Sequence, residues 1–370
     1  MKITIFGDIC PTKDTQADFD RRDAKAIFGD TLAEIESSDI VLGNLECAVT
    51  DNPKPIKKAG PVLFTNTGSI KALDGFTALS LANNHIRDCG DEGVTTAIKT
   101  CENLGIITFG AGPDLASAKE PIVIERGGIR IGLMSFAEQE FNTATDSRPG
   151  SSYLDLYYDF DRIREFRQVV DYLILLYHGG IEYFPYASPE LKKRCHKFVE
   201  CGADLVSCQH SHCIGTIEKF KNATIVYGQG NSVFGYRKGD ASWNSGLLLQ
   251  VELDGNHHSV SVKGMIFTEC GLRFMNSEEQ TNLSVELEQR AKRPESEVTK
   301  EWDAFCENLG KIHLPLLLGW PKIMIAINRR TNNLFVKLFI NDITANNVHN
   351  VLRCESHREV EQQILSKYNY

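Results

Sequence analysis

No uninterrupted apolar run of membrane-spanning length occurs in the 370 residues, so the sequence predicts no transmembrane helix. The nearest approach is IHLPLLLGWPKIMIAI (312–327), which Gly319, Pro321 and Lys322 interrupt. It reads as a core element, with contact to a membrane surface or a partner as the lesser reading. No secretory signal is expected either, because the sequence opens MKITIFG, one lysine followed by strand-like alternation. Basic runs are equally absent. Forty Lys and Arg against forty-nine Asp and Glu leave a net charge of −9, which argues against nucleic acid or an anionic membrane as partner. A phosphorylated or polyanionic substrate stays compatible if a metal supplies local positive charge. The eleven cysteines are odd in number and lack the compact spacing of a disulfide scaffold. Most read as small buried thiols of a cytoplasmic protein.

What is present is an ordinary globular balance, 42% hydrophobic and 24% charged. From residue 2 to about 270, apolar runs of strand length alternate with amphipathic segments, the pattern of an α/β domain. The strand candidates are KITIFG (2–7), DIVLGN (39–44), TALSLA (77–82), ITFGAG (107–112), DYLILLY (171–177) and ADLVSC (203–208). Helices are expected over 24–36, 91–104 and 189–201, the last opening on Ser188-Pro189 as N-cap and first turn. Hairpins are expected over 122–136, turning at Gly127-Gly128, and over 246–267, turning at Asp254-Gly255. Antiparallel strands beside βα units exclude a simple parallel sheet; two packed mixed sheets with helices outside accommodate both. After residue 275 the composition shifts to charged, helix-like sequence, with a final helix near 345–368. The expected division is therefore 1–275 and a mainly helical 276–370, whose His313, His349 and His357 lack accompanying metal donors.

Five strand candidates run into groups that bind metals: Asp8, Glu46, Asn83-Asn84-His85, His178, and His210 with His212. In open α/β sheets ligands bind just beyond the carboxyl ends of the strands, so these side chains converge. Two carboxylates, a carboxamide and three imidazoles suit Zn, Mn or Fe. Each residue alone has a plainer explanation. Asp8 suits a turn or cap, Asn83 and Asn84 a turn, and His178 a structural role. Together, with Gly7, Gly43, Gly90, Gly179 and Gly180 beside them, they favour a shared site. The stretch VSCQHSHC (206–213) raises the alternative of a local four-ligand zinc knot from Cys208, His210, His212 and Cys213. Alternation along a strand instead puts His210 and His212 on one face and leaves both cysteines as core thiols.

These pieces together resemble the CapA group of bacterial poly-γ-glutamate capsule synthesis proteins, within the calcineurin-like metallophosphoesterase superfamily. The resemblance rests on GDIC (7–10), GNLE (43–46), LANNHIRDCGDEG (81–93), GIITFGAG (105–112), HGGIEYFPYASPEL (178–191), GADLVSCQHSHCIGTIE (202–218) and IVYGQGNSVF (225–234). It implies a four-layer fold of two packed β-sheets flanked by helices, with a binuclear metal site at the sheet edges. By position it implies that Asp8 and His212 hold one ion, Asn84, His178 and His210 the other, and that Glu46 bridges them. His85 then corresponds to the general acid, with Asn83 supporting the set from behind. Where the superfamily commonly has Asp-x-His, this chain has Asp8-Ile9-Cys10, which makes Cys10 the candidate replacement ligand.

The function implied is a metal-dependent hydrolase, a phosphoesterase in capsule or exopolysaccharide metabolism, using one or two Mn, Fe or Zn ions per chain. Two alternatives stand beside it. The same site could hydrolyse a γ-glutamyl amide, or the chain could be a non-catalytic accessory subunit of the polymer-synthesis machinery, docking through its C-terminal region.

Overall fold

The computed structural model describes all residues except Lys13, Asn256, Leu318, Asn332, Asn333, Ile340, Asn341 and 367–370, and not the side chains of Lys337, Asp342, Thr344 and Ser366. Residues 367 and 368 of the expected final helix lie outside the described residues. The chain forms two compact units, Met1–Lys292 and Arg293–Tyr370.

The first unit carries the strands β1 (Lys2–Ile9), β2 (Ile40–Leu45), β3 (Ala48–Val49), β4 (Phe64–Thr65), β5 (Ala78–Ser80), β6 (Ile107–Phe109), β7 (Ala111–Gly112), β8 (Ile122–Arg126) and β9 (Ile129–Ala137). It continues with β10 (Gly150–Ser151), β11 (Tyr172–His178), β12 (Leu205–Gln209), β13 (Ile217–Phe220), β14 (Ala223–Val226), β15 (Asn231–Val233), β16 (Ser245–Asp254), β17 (His257–Thr268) and β18 (Gly271–Phe274). One sheet has the order β18-β17-β16-β1-β2-β5-β6, with β15 also pairing to β1; the other has the order β13-β14-β12-β11-β9-β8. In each, the central strands are parallel and the hairpins at the margins antiparallel.

Two mixed sheets therefore pack face to face, as expected, and the alternation of side chains shows why. Ile3, Ile5, Ile40, Leu42, Leu247 and Leu249 meet Ile131, Leu133, Ile174, Leu176 and Leu205 between the sheets. The intervening residues point outward. Val41, Leu79 and Leu248 cover a layer with Phe19, Ile27, Phe28 and Val94, while Leu173, Leu175, Tyr177 and Val206 cover one with Ile163, Cys195 and Phe198. Strands buried on both faces read as the continuous apolar runs that mark them in sequence.

The turns follow local chemistry. Gly127 and Gly128 have φ of 57° and 78°, the two left-handed residues that a tight hairpin needs. Ser188 caps its helix by accepting from the Leu191 N–H at 3.3 Å. The helix expected over 24–36 is broken into Ala24–Phe28, a turn of 3-10 helix at Gly29–Thr31, and Leu32–Ser37. At the break Gly29 has φ 49° and β18 approaches its backbone so closely that a Cβ there would lie 2.0 Å from the Leu272 carbonyl oxygen.

The helix Ser277–Ala291 belongs to the first unit, which therefore runs past the composition shift at residue 275. Leu283 is buried beside Met275 in the inter-sheet layer, and a capping box of Asn276 and Glu279 starts the helix. The regular structure among the described residues of the second unit is helical, from Glu295–Leu317 to Glu355–Ser366. The apolar run at 312–327 is less of a core element than its composition suggests. Pro315 and Ile325 are buried, but Leu316, Leu317 and Ile323 are 54%, 52% and 71% exposed. Among the described residues, no helix is long and apolar enough to cross a membrane.

Ile174 sits at the centre of the inter-sheet layer with no exposed surface. Ile174→Ala is expected to lower unfolding free energy by about 2–5 kcal/mol in urea denaturation. A change below about 0.5 kcal/mol would mean that the two sheets do not share this core.

Candidate metal centre

The carboxyl ends of β1, β2, β11 and β12 lie along one edge of the paired sheets, and each delivers a polar side chain there. Registers fix their positions: Asp8 is opposite Asn44 on β2 and Asn231 on β15, while His178 is opposite Gln209. Two groups of metal-ligating side chains result, Asp8–Glu46–His212 and Glu46–His178–His210, each with donor atoms within 4.8 Å of one another. Glu46 belongs to both. Asn84 joins the second, its Oδ1 lying 3.1 Å from His178 Nε2, which is itself 3.4 Å from Glu46 Oε1. Neither group contains Cys208 or Cys213, which are buried in the core, so VSCQHSHC forms no local knot.

His210 and His212 reach the centre by a route that differs from the expected one. β12 ends at Gln209, and both histidines have left-handed backbone, φ 85° and 50°. Two non-glycine residues in that region within three positions mark a loop shaped by surrounding contacts, not by strand alternation. The His210 N–H donates to Asp8 Oδ2 at 3.1 Å, which ties the turn to the centre. His212 Nδ1 donates to Asn231 Oδ1 at 2.8 Å, because Asn231 Nδ2 is occupied in donating to the Trp243 carbonyl at 2.8 Å. That leaves His212 Nε2 as the nitrogen able to accept a metal.

A network of carboxamides supports the donors. Asn44 Nδ2 donates to Asp8 Oδ1 at 2.7 Å and lies 3.2 Å from His178 Nδ1. Asn83 Nδ2 donates to the Leu45 carbonyl at 2.8 Å and to Asn44 Oδ1 at 3.2 Å, and its own Oδ1 accepts from the His85 N–H at 3.1 Å. Asn83 thus holds the strand ends and the turn that bears His85. His85 Nδ1 pairs with Asp88 Oδ2 at 2.6 Å, leaving Nε2 turned toward Glu46 Oε1 at 3.9 Å. Lys58 ion-pairs with Asp88 Oδ1 at 2.6 Å, both side chains being buried.

Some of these residues were legible and unassigned. Asn44 lies inside GNLE and Asn231 inside GQGN, and Asp88 follows His85 by three positions. Lys58 has no sequence signal, since it comes from the loop between β3 and β4, folded back so that the Leu63 N–H also donates to Asp88. Cys10 belongs to neither donor group. It is fully buried in the outer core beside Cys47, and the hydrogen bond with Cys47, then burial, hold its thiol well above its ordinary pKa.

The electrostatics state what the centre lacks. Both carboxylate oxygens of Glu46 are buried without a hydrogen-bond partner, as is His210 Nδ1. Burial, and then the charge of Glu46, push the Asp8 carboxyl up to about 7; burial holds Glu46 well above the usual carboxylate range. Burial lowers His178 and His210 and takes His212 down to about 3. Burial is the leading cause of each shift, and the groups that favour ionised carboxylates, His178 toward Asp8 and Lys58 toward Glu46, do not balance it. A divalent cation supplies that balance, and carboxylate, carboxamide and imidazole are ligands for Mn, Fe or Zn. The residues fit the group.

The model of the bacterial capsule synthesis protein PGA_cap family matches residues 2–236. The chain belongs to this family. A capsule biosynthesis protein CapA of Bacillus anthracis is 26% identical over 270 residues, a match covering 69% of this chain and 64% of that protein. A "probable polyglutamine synthesis accessory protein" of Mycobacterium tuberculosis is 26% identical over 241 residues, covering 60% and 63%. The chain therefore spans less than two thirds of either relative's length. Among solved structures, a 5'-nucleotidase precursor from Thermus thermophilus aligns with TM-score 0.41 and 14% identity, over 85% of this chain and 59% of that one. Every site residue read from the sequence falls within the PGA_cap match; Trp243 and the second unit fall outside it.

Two outcomes follow for the isolated protein. Cys10→Ser is expected to leave metal content per chain unchanged by elemental analysis, and a loss of one ion would restore Cys10 as a ligand. Because Asp8 is raised from 3.8 to about 7 in the metal-free fold, that fold binds the proton more tightly than the unfolded chain. Its contribution to stability is present at low pH and is lost as pH rises toward 7. The melting-temperature gap between Mn-loaded and chelator-stripped protein should thus widen from about pH 5 to about pH 7.5; a constant gap would contradict this.

Proposed function

We propose that the chain is a metal-dependent hydrolase of phosphoesters, acting in capsule or poly-γ-glutamate-type polymer metabolism. The observation that carries the reading is Glu46, a buried carboxylate with no hydrogen-bond partner, shared by two donor groups at the sheet edge. Asp8 and His212 would hold one divalent ion, Asn84, His178 and His210 the other, with Glu46 between them. Bound there, such ions supply Lewis acidity toward a phosphoryl group and activate water at neutral pH.

The remaining work falls to the chain's own residues. His85 Nε2 faces the centre while Asp88 fixes Nδ1, and this is the arrangement of a general acid that passes a proton to a leaving alkoxide. Lys58 holds Asp88 in place and neutralises it, so that Asp88 orients the imidazole without adding net charge to the pocket. Asn44 and Asn83 keep the strand ends in register, which preserves the donor positions as substrate enters.

A second reading is an accessory role, in which the fold serves to bind the polymer-synthesis machinery. It is favoured by the exposed apolar side chains of the second unit, among them Ile323, Leu338, Phe339 and Ile343, since exposed apolar surface suits contact with a partner.

One comparison separates the readings. His85→Ala should retain bound metal and lose about a hundredfold or more in turnover of an aryl phosphate, whereas Glu46→Ala should lose metal itself. Wild-type protein inactive on phosphomono- and diesters with Mn, Fe and Zn would overturn the hydrolase reading and leave the accessory one.

A further inference from the structure

The loop between β15 and β16 is built around Trp243, 4% exposed, and carries Arg237 to the surface. Trp243 Nε1 donates to the Gly235 carbonyl at 2.9 Å, and its ring lies 4.6 Å from the His212 ring and 5.2 Å from Phe234. Asn244 brackets Arg237: its Oδ1 accepts from the Arg237 N–H at 2.9 Å, and its Nδ2 donates to the Arg237 carbonyl at 2.6 Å. The backbone of Arg237 is therefore fixed by the same loop whose Trp243 carbonyl orients Asn231 and, through it, His212.

The guanidinium is fixed as well. Its carbon lies 3.1 Å from the centroid of the Trp243 ring, and Nη1 donates to the Tyr183 hydroxyl at 3.1 Å. Tyr183 is held in turn, with φ 63° and its N–H donating to the Ser211 carbonyl at 2.8 Å, between the two histidines of the centre. Other arginines of this unit face carboxylates: Arg130 meets Asp171, Arg194 meets Glu138 and Arg273 meets Glu279. Arg237 has no ion-pair partner among the described residues. Glu182 senses its charge without pairing to it, and burial, the larger effect, keeps that carboxyl raised. A stacked guanidinium keeps its N–H edge free, and a planar fork of donors matches an oxyanion in two parallel hydrogen bonds. Because stacking and the Tyr183 bond already order the side chain, little rotamer freedom remains to be lost on binding.

We propose that Arg237 recognises the substrate's anionic group at this centre, and that the group is a phosphoryl oxyanion. The inference rests on the phosphoester reading above and adds the residue that selects the ligand. It also gives Trp243 a place: the indole that supports Arg237 touches His212, so occupation of the oxyanion position perturbs its emission.

The test uses full-length, Mn-loaded protein with Trp302→Phe and Trp320→Phe, which leaves Trp243 as the sole indole of the three. Inorganic phosphate is titrated while Trp243 fluorescence is followed. The expected result is saturable phosphate binding, weakened about ten- to a hundredfold by Arg237→Gln and less by Arg237→Lys, with unchanged metal content. L-glutamate at the same concentrations is expected to leave both signal and phosphate affinity unchanged. Equal phosphate affinity in the parent, Arg237→Gln and Arg237→Lys would overturn the inference and leave the metal centre standing. A parent that holds Mn but binds no phosphate would overturn both the inference and the phosphoester reading. Competition by glutamate would overturn the phosphoryl assignment in favour of a carboxylate. Should Arg237→Gln not fold, the Lys variant decides, since it keeps the charge and removes the planar fork.

Discussion

A carboxylate taken out of water without a partner costs several kcal/mol, and Glu46 is such a group. Everything at the sheet edge is arranged about it. β2 ends there, the Glu46 N–H is anchored on the Ile9 carbonyl at 2.9 Å, and imidazoles approach from β11, from the turn after β12 and from the turn bearing His85. No cation of the described residues is hydrogen-bonded to the carboxylate; Lys58, the buried amine near by, is occupied by Asp88. Such a deficit is compatible with positive charge from a divalent cation, for which the mixed oxygen and nitrogen donors are suited.

The fold was largely legible because the strands that matter are buried on both faces. DYLILLY and ADLVSC have the composition they have because one set of side chains faces the other sheet and the alternate set faces helices. The candidate donor set was legible for a related reason: each candidate donor follows an apolar run, where a parallel strand ends. What could not be read was geometry that contacts distant in sequence impose. Alternation along a strand predicts one face for His210 and His212, yet the strand stops at Gln209 and two left-handed residues deliver the rings instead. Asp8 and Asn231, which hold that turn from other strands, decide it.

Cys10 and Lys58 show the same limit from opposite sides. Cys10 occupies a motif position and looks like a ligand, but its thiol belongs to the outer core with Cys47. Lys58 sits in a Pro- and Lys-rich loop without a sequence signal of its own, and the loop folds inward to bury the ammonium against Asp88. Local sequence specifies the side chain; which way a loop returns is set by the pairing it finds. The family match covers the span that carries the donors, and Arg237 and Trp243 lie just beyond it.

The central claim is that one buried glutamate gathers two divalent-ion positions at the edge of the paired sheets. Anomalous diffraction from a crystal of the protein soaked in Mn2+ addresses it directly. The account predicts anomalous density on both sides of the Glu46 carboxylate, one peak toward Asp8 and His212, the other toward His178 and His210. Ions bound elsewhere on the chain with none at Glu46, or a Glu46 carboxylate satisfied by protein groups alone, would contradict it.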